Sequence, residues 1–174
     1  TKGRYTQLIR DVRVSDTRWP EAHWQQICQQ YKAAPCFARE RAWMEPLYRV
    51  QAPRLEYLHE VNRLFLEAIL GRLGITTELR DSTAFDLDDG KSERLLAICT
   101  QAGADLYLSG PAARGYLDTD LFADHGVAVA WMDYGGYAEY DQIHPPFEHG
   151  VTVLDLIAHL GDEARGAEVV VDRR

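Results

Sequence analysis

The sequence predicts an α/β fold in which a mostly parallel sheet is flanked by helices, with a helix-rich N-terminal part. From residue 75 onward, the order is strand, helix, strand, helix, strand, loop, helix. Before residue 75, apolar residues recur mainly at helical spacing. The alternation of strands and helices after residue 75 is typical of Rossmann-like proteins. We expect one domain over residues 1–174, since this length is ordinary for a domain.

The first elements are an edge strand and a helix. Apolar and polar residues alternate over residues 7–14, which favours a strand. Asp16 or Thr17 then supplies an N-cap, and Pro20 lies in the first helical turn, where its missing N–H costs nothing. Pro35 ends this helix.

Two further helices complete the N-terminal part. Residues 36–50 form a short helical piece that breaks near Pro46. The clearest helix begins at Pro53 and ends at Gly74. One apolar stripe runs along it, made of Leu58, Val61, Phe65, Ile69 and Leu73.

Strands and helices alternate in the remainder. The β-branched run Ile75–Leu79 predicts a strand. The later elements are a helix over Ser92–Ala102, a strand over 104–110, a short helix over 118–126, a strand over 127–134, a loop over 135–150, a helix over 152–161, and a last strand or frayed end over 166–174.

Composition excludes several classes of protein. The chain has 27 acidic and 19 basic residues and a net charge of -8, which argues against nonspecific nucleic-acid binding. Its three cysteines have no CxxC spacing, so we expect reduced thiols in a cytoplasmic protein and no thiolate zinc site. No apolar run approaches the roughly 18 residues that a membrane span needs, and no signal-peptide pattern is visible.

Three polar loops follow the predicted strands, at residues 80–90, 109–117 and 135–150. In open α/β sheets, ligands bind beyond the carboxyl ends of the strands. If the strands are parallel neighbours, all three loops converge on one edge of the sheet.

The second loop, in "YLSGPAARGYLDTDLF", offers groups for an anion. Ser109 carries a hydroxyl, and Gly110 lets a ligand approach the backbone. Tyr116 is a further candidate contact, although a place in the core is the alternative. A purely structural interpretation is that Ser-Gly-Pro ends a strand and that Asp118 caps the next helix.

The start of the helix that precedes this loop, "GKSERL" at residues 90–95, carries cations where the helix dipole prefers negative charge. Lys91, Ser92 and Arg94 are favourable there if an anion binds at that end. The glycine spacing of a Walker motif is absent. The alternative is a solvated helix end that Ser92 caps.

The third loop contains "YAEYDQIHPPFEH". Tyr140, Gln142 and Phe147 could line a pocket with an aromatic floor. His144 and His149 are candidate general bases, with exposed or structural histidines as the alternative. Their spacing matches no regular pairing of metal ligands, so we predict no metal site.

The combination of "YLSG", "YLD", "Y.Q..PPF" and "VLDLIAHLG" resembles the WbqC-like family of bacterial proteins. The resemblance covers nearly the whole chain. Family members begin with a further region rich in "QP.YFP..GYF"-like sequence, and this chain starts with Thr1 just after it. We therefore expect an N-terminally incomplete domain. Positions matching the family motifs are Lys91, Arg94, Ser109, Gly110, Tyr116, Asp118, Tyr140, Gln142, Pro146 and Phe147.

The resemblance implies a place in O-antigen or related surface-polysaccharide synthesis. It suggests modification of a nucleotide-activated sugar, such as acyl or aminoacyl transfer to an amino sugar. A non-catalytic binding or scaffold subunit and an ATP-dependent ligase are the alternatives. No definite cofactor is indicated. The expected partner is a small nucleotide or sugar ligand, and homo-oligomerisation stays open.

Overall fold

The computed structural model describes residues 7–165 and the backbone of residues 170–172. These residues divide into two compact units. The first unit comprises residues 7–76 and 139–165, and the second comprises residues 77–138 and 170–172. Among residues 7–165, no helix has both the length and the apolar character needed to cross a bilayer.

The first unit is helical. Its described residues form four α-helices, which are α1 (Trp19–Tyr31), α2 (Phe37–Pro46), α3 (Leu58–Leu73) and α6 (Val153–Leu160). Pro46 ends α2 as predicted, and the chain continues through a π-helical turn (Leu47–Gln51) and a 3-10 turn (Ala52–Arg54). The proline removes one N–H from the regular helical hydrogen bonding, which favours the change of winding.

Aromatic rings fill the core of the first unit. Trp24 is 1% exposed and stacks on Tyr48, with ring centroids 5.7 Å apart. Phe65 of α3 also packs against Tyr48, with ring centroids 4.7 Å apart. Ile157 of α6 is fully buried in the same cluster. The apolar faces of the helices therefore meet around these large rings.

A buried ion pair joins two of these helices. Glu40 of α2 is 2% exposed and accepts two hydrogen bonds from Arg72 of α3, at 2.5 and 2.8 Å. Trp43 Nε1 donates a third bond to the Glu40 carboxylate at 2.9 Å. Arg72 also contacts Asp162 at 3.1 Å. The bidentate geometry satisfies a carboxylate that burial would otherwise destabilise.

The second unit contains the sheet. The strands β1 (Leu106–Ser109) and β2 (Ala128–Asp133) are parallel, and β3 (Val170–Asp172) pairs antiparallel with β2. The helices α4 (Lys91–Ala102) and α5 (Thr119–Asp124) supply Leu96, Cys99 and Phe122 to its core. The α/β class and the last strand are confirmed, whereas a sheet with one parallel pair matches a Rossmann-like arrangement only loosely.

Two predicted strands are wrong. Residues 9–11 form a 3-10 turn, and the pairing nearby is a single bridge between Arg13 and Tyr57. Residues 75–80 form no strand, and Ile75 is 43% exposed. Alternation and β-branching describe a side-chain pattern, but a strand also needs a neighbouring strand to accept its backbone hydrogen bonds.

Two predicted helix starts are displaced. Asp16 accepts the N–H of Arg18 at 2.9 Å. The helix α1 begins at Trp19 and its N-cap residue is Arg18, so neither Asp16 nor Thr17 is the N-cap. The helix α3 begins at Leu58 rather than Pro53, because the Glu60 carboxylate accepts the N–H of Tyr57 at 3.1 Å. Gly74 ends α3 as predicted, in the left-handed conformation with φ 74°.

We expect Glu40 to make folding stability depend on acid pH. The Arg72 guanidinium lowers the pKa of Glu40 from 4.5 to about 2. Because folding depresses this pKa, the stabilisation is complete above pH 4.5 and is lost as the pH falls towards 2. A shift of this size corresponds to about 3 kcal/mol of free energy of unfolding.

Urea denaturation at neutral pH and near pH ~3 would measure this contribution. Glu40→Gln should lose about 3 kcal/mol at neutral pH and show a shallower pH dependence than the wild type. Glu67→Gln is the control, because Glu67 is 53% exposed in its pair with Arg63 and should change stability by less than about 1 kcal/mol. Equal pH slopes for Glu40→Gln and the wild type would contradict the assignment.

Candidate functional site

The predicted site residues fall in both units. Those of the third loop lie in the first unit, and those near α4 and β1 lie in the second. The loop over 80–90 follows no strand, so it does not share a strand end with the others. The two groups are described separately below.

In the second unit, parallel pairing places the carboxyl ends of β1 and β2 side by side. Ser109 pairs with Trp131 and is 9% exposed. Gly110 follows, and a Cβ built on it would lie 3.5 Å from the Tyr134 hydroxyl. The hydroxyl of Tyr134, which follows β2, therefore lies against Gly110, which follows β1. We call Ser109, Gly110 and Tyr134 the strand-end group.

Two cations of α4 are held by neighbouring groups. The Lys91 ammonium lies 5.4 Å from the centre of the Tyr116 ring, a cation–π distance. Tyr116 is 54% exposed, so its alternative place in the core is excluded. Arg94 Nε donates to the carbonyl of Asp88 at 3.4 Å. Lys91 and Tyr116 thus present a cation and an aromatic ring together at the surface.

Ser92 has a structural partner. It is 7% exposed, and its Oγ accepts the N–H of Asp118 at 3.0 Å. Asp118 in turn caps α5 by accepting the N–H of Leu121 at 3.1 Å, as predicted. Ser92 therefore ties the start of α4 to the start of α5.

The N-terminus of α4 already has a carboxylate beside it. Glu93 lies so close to Gly90 that a Cβ there would collide with its carboxylate, and Gly90 adopts φ 105°. Negative charge at this end is favourable for the helix dipole. An external anion at this end would meet the negative charge of Glu93.

In the first unit, the third loop lines a pocket of about 290 Å³. Its lining residues are Glu139, Tyr140, Asp141, Gln142, Pro145 and Phe147. The ring of Tyr140 meets that of Phe147 edge-on at 5.0 Å. Tyr140, Gln142 and Phe147 are thus brought together in one pocket.

A buried carboxylate fixes one wall of this pocket. Asp155 of α6 is 7% exposed. Its Oδ2 accepts the Tyr140 hydroxyl at 2.7 Å and Gln142 Nε2 at 3.0 Å. Burial, reinforced by Asp155, raises the pKa of Tyr140 to about 12. Burial and the charge of Asp155 also raise the pKa of Tyr31 to about 12.

His159 anchors the loop backbone. Its Nε2 accepts the N–H of Ile143 at 3.1 Å, so this nitrogen carries no proton. Its Nδ1 lies 2.8 Å from the carbonyl of Asp155 and carries the ring proton. His159 is 6% exposed. The imidazole is therefore held neutral, in one tautomer, between α6 and the loop.

The sequence interpretation missed Asp155 and His159. The available signal was two polar residues four apart in the otherwise apolar helix "VLDLIAHL". Such a pair lies on one helix face, and where that face is buried it must find hydrogen-bonding partners.

The two predicted catalytic histidines differ from His159. His144 is exposed, and no hydrogen bond or ion pair to it is found within residues 7–165. His149 packs edge-on against Phe147 at 4.6 Å, and its Nε2 lies 3.9 Å from the Glu139 carboxylate. In the described part of the chain, no cluster of three or more His, Cys, Asp or Glu residues could hold a metal.

Comparisons with known proteins identify relatives. The profile of the WbqC-like protein family matches residues 1–167. The chain is 43% identical over 164 residues to the uncharacterised protein Rv1507c of Mycobacterium tuberculosis (strain ATCC 25618 / H37Rv). This match covers 94% of the chain and 70% of the relative. No solved structure matches the chain.

We expect Ser92→Ala to lower the free energy of unfolding by about 1 kcal/mol, since the Asp118 N–H would lose its acceptor. Urea denaturation measures the change. Ser82→Ala, at an exposed position, is the matched control and should have little effect. Unchanged stability of Ser92→Ala combined with weaker phosphate binding would instead make Ser92 a ligand contact.

Proposed function

The chain belongs to the WbqC-like protein family, and on this premise we propose that it is a transferase acting on a nucleotide-activated sugar in surface-polysaccharide synthesis. The reaction would be acyl or aminoacyl transfer to an amino group of the sugar. The observation that carries the proposal is the pocket of about 290 Å³, where aromatic rings and polar side chains lie together.

The composition of this pocket suits a sugar. Phe147 and Tyr140 supply flat apolar surfaces against which the C–H face of a sugar ring can pack. Gln142 and the carboxylates of Glu139 and Asp141 supply hydrogen-bonding atoms around them. Apolar surface with a few placed polar groups is the usual construction of a small-molecule site.

The second unit supplies cations for phosphate. Lys91 stands beside Tyr116, and Arg94 lies one helical turn further along α4. The strand-end group adds the hydroxyls of Ser109 and Tyr134. We assign phosphate binding within the second unit to Lys91, Arg94 and the strand-end group.

A non-catalytic sugar-binding subunit of the same pathway is the second candidate. It is favoured by the exposure of His144 and by the 3.9 Å separation of His149 from Glu139, which is too long for a hydrogen bond. A general base normally has a partner that orients it. Product formation from an acyl donor and an amino-sugar nucleotide, followed by mass spectrometry, distinguishes the transferase from the binding subunit.

We expect Phe147→Ala to weaken binding of UDP-, GDP- or dTDP-sugars by about tenfold or more, because the sugar loses an aromatic face. Isothermal titration calorimetry measures the affinity. Leu66→Ala removes an exposed apolar side chain of α3 and serves as the control, with no change expected. Absence of binding to all three classes of nucleotide sugar would contradict the proposed function.

We expect Lys91→Ala to weaken binding of the nucleotide diphosphate itself by about tenfold, since one charge-assisted contact is lost. Titration with UDP, GDP and dTDP separates this effect from sugar binding. Lys32→Ala changes another exposed lysine and should leave the affinity unchanged. Equal affinities of Lys91→Ala and the wild type would remove Lys91 from the phosphate site.

A further inference from the structure

We propose that the buried carboxylate of Asp155 leaves the polar side chains of the first-unit pocket with acceptor atoms only, so that the pocket prefers ligands bearing hydroxyl or amino groups to anionic ones. Asp155 is not among the residues that line the pocket. It acts as a positioning residue, through the side chains of Tyr140 and Gln142. The inference rests on the proposed function only in taking the pocket as the sugar site.

The Tyr140 hydroxyl has no proton left for a ligand. Asp155 Oδ2 lies 2.7 Å from the Tyr140 oxygen. A carboxylate only accepts, so the hydroxyl must donate its single proton to Asp155. Since the pKa of Tyr140 is raised to about 12, the hydroxyl keeps this proton at neutral pH. Towards any other partner, its oxygen offers lone pairs alone.

The Gln142 amide is likewise without a free proton. Its Nε2 donates to Asp155 Oδ2 at 3.0 Å and to the carbonyl of Glu148 at 3.1 Å. Its Oε1 accepts the N–H of Glu148 at 2.8 Å. These contacts fix which end of the amide is nitrogen, because both Asp155 and the carbonyl require a donor. One lone pair of Oε1 remains for a ligand.

The other lining side chains supply no donor. Glu139 and Asp141 carry carboxylates, while Pro145 and Phe147 have no polar side-chain atom. All four polar side chains of the lining therefore accept hydrogen bonds, and none donates. Both carboxylates also make the pocket electrostatically negative.

The consequence is a chemical preference. A hydroxyl or ammonium group can donate to any of these oxygens, whereas a carboxylate or phosphate meets lone pairs or negative charge at every polar side chain of the lining. The phosphates of a nucleotide sugar would find no side-chain partner here. The pocket suits the polyhydroxyl or amino-bearing part of such a molecule.

Three monosaccharides with the same ring test the inference: glucose, glucosamine and glucuronate. Their binding to the chain is followed by nuclear magnetic resonance, through the backbone amides of Tyr140, Gln142 and Phe147. We expect glucose and glucosamine to bind at least about tenfold more tightly than glucuronate. Equal or tighter binding of glucuronate at these amides, or no perturbation by any of the three sugars, would overturn it.

Asp155→Ala tests the role of the carboxylate. Tyr140 and Gln142 each donate one proton to Asp155 Oδ2, so removal of the carboxylate frees both protons for the pocket. We expect the preference for glucose over glucuronate to fall by about tenfold. Asp162→Ala is the matched control, since Asp162 is 66% exposed in its pairs with arginines and does not line the pocket.

An unchanged preference in a folded Asp155→Ala protein would overturn the inference. Circular dichroism verifies folding, and if this variant does not fold, the wild-type series decides alone. Selectivity among free sugars without binding of any nucleotide sugar would support the inference and contradict the proposed function. Nucleotide-sugar binding without that selectivity would do the reverse.

Discussion

The buried carboxylate of Asp155 is the constraint on which the pocket depends. Removing a carboxylate from water costs several kcal/mol unless donors replace the lost hydration. In this protein two donors come from Tyr140 and Gln142, in a loop that has no regular backbone hydrogen bonding of its own. His159 adds a third tie, to the backbone of Ile143. A segment without helix or strand is thereby given a definite shape by polar contacts with α6.

Polar side chains also stabilise the second unit, by hydrogen bonds between its helices. Ser92 and Asp118 form a chain of hydrogen bonds that links the starts of two helices. Lys91 is left beside an exposed aromatic ring instead of a carboxylate. Ser92 and Asp118 have their hydrogen-bonding partners within the fold, whereas Lys91 lies at the surface and can still bind a ligand.

Local signals explain which elements could be predicted from the sequence. Gly103 caps the end of α4 and Thr152 caps the start of α6, and both caps depend on neighbouring residues alone. The strands expected over 7–14 and 75–79 do not form, because pairing partners are not a local property. Their position in one loop brings Tyr140, Gln142 and Phe147 together around one pocket. Asp155 and His159 were missed because their partners lie 13 to 16 positions earlier, beyond any helical period.

The division of the first unit between two stretches of sequence has a consequence for synthesis of the chain. Cys36 and the carbonyl of His159 are in contact although 123 positions separate them. During translation residues 7–76 emerge before α6, so the aromatic cluster around Trp24 lacks Ile157 and Ala158 until α6 is made. Residues 77–138, which carry α4, α5 and the parallel strands, are contiguous in sequence. The core of the first unit is therefore completed only after the helices and parallel strands of the second unit have been made.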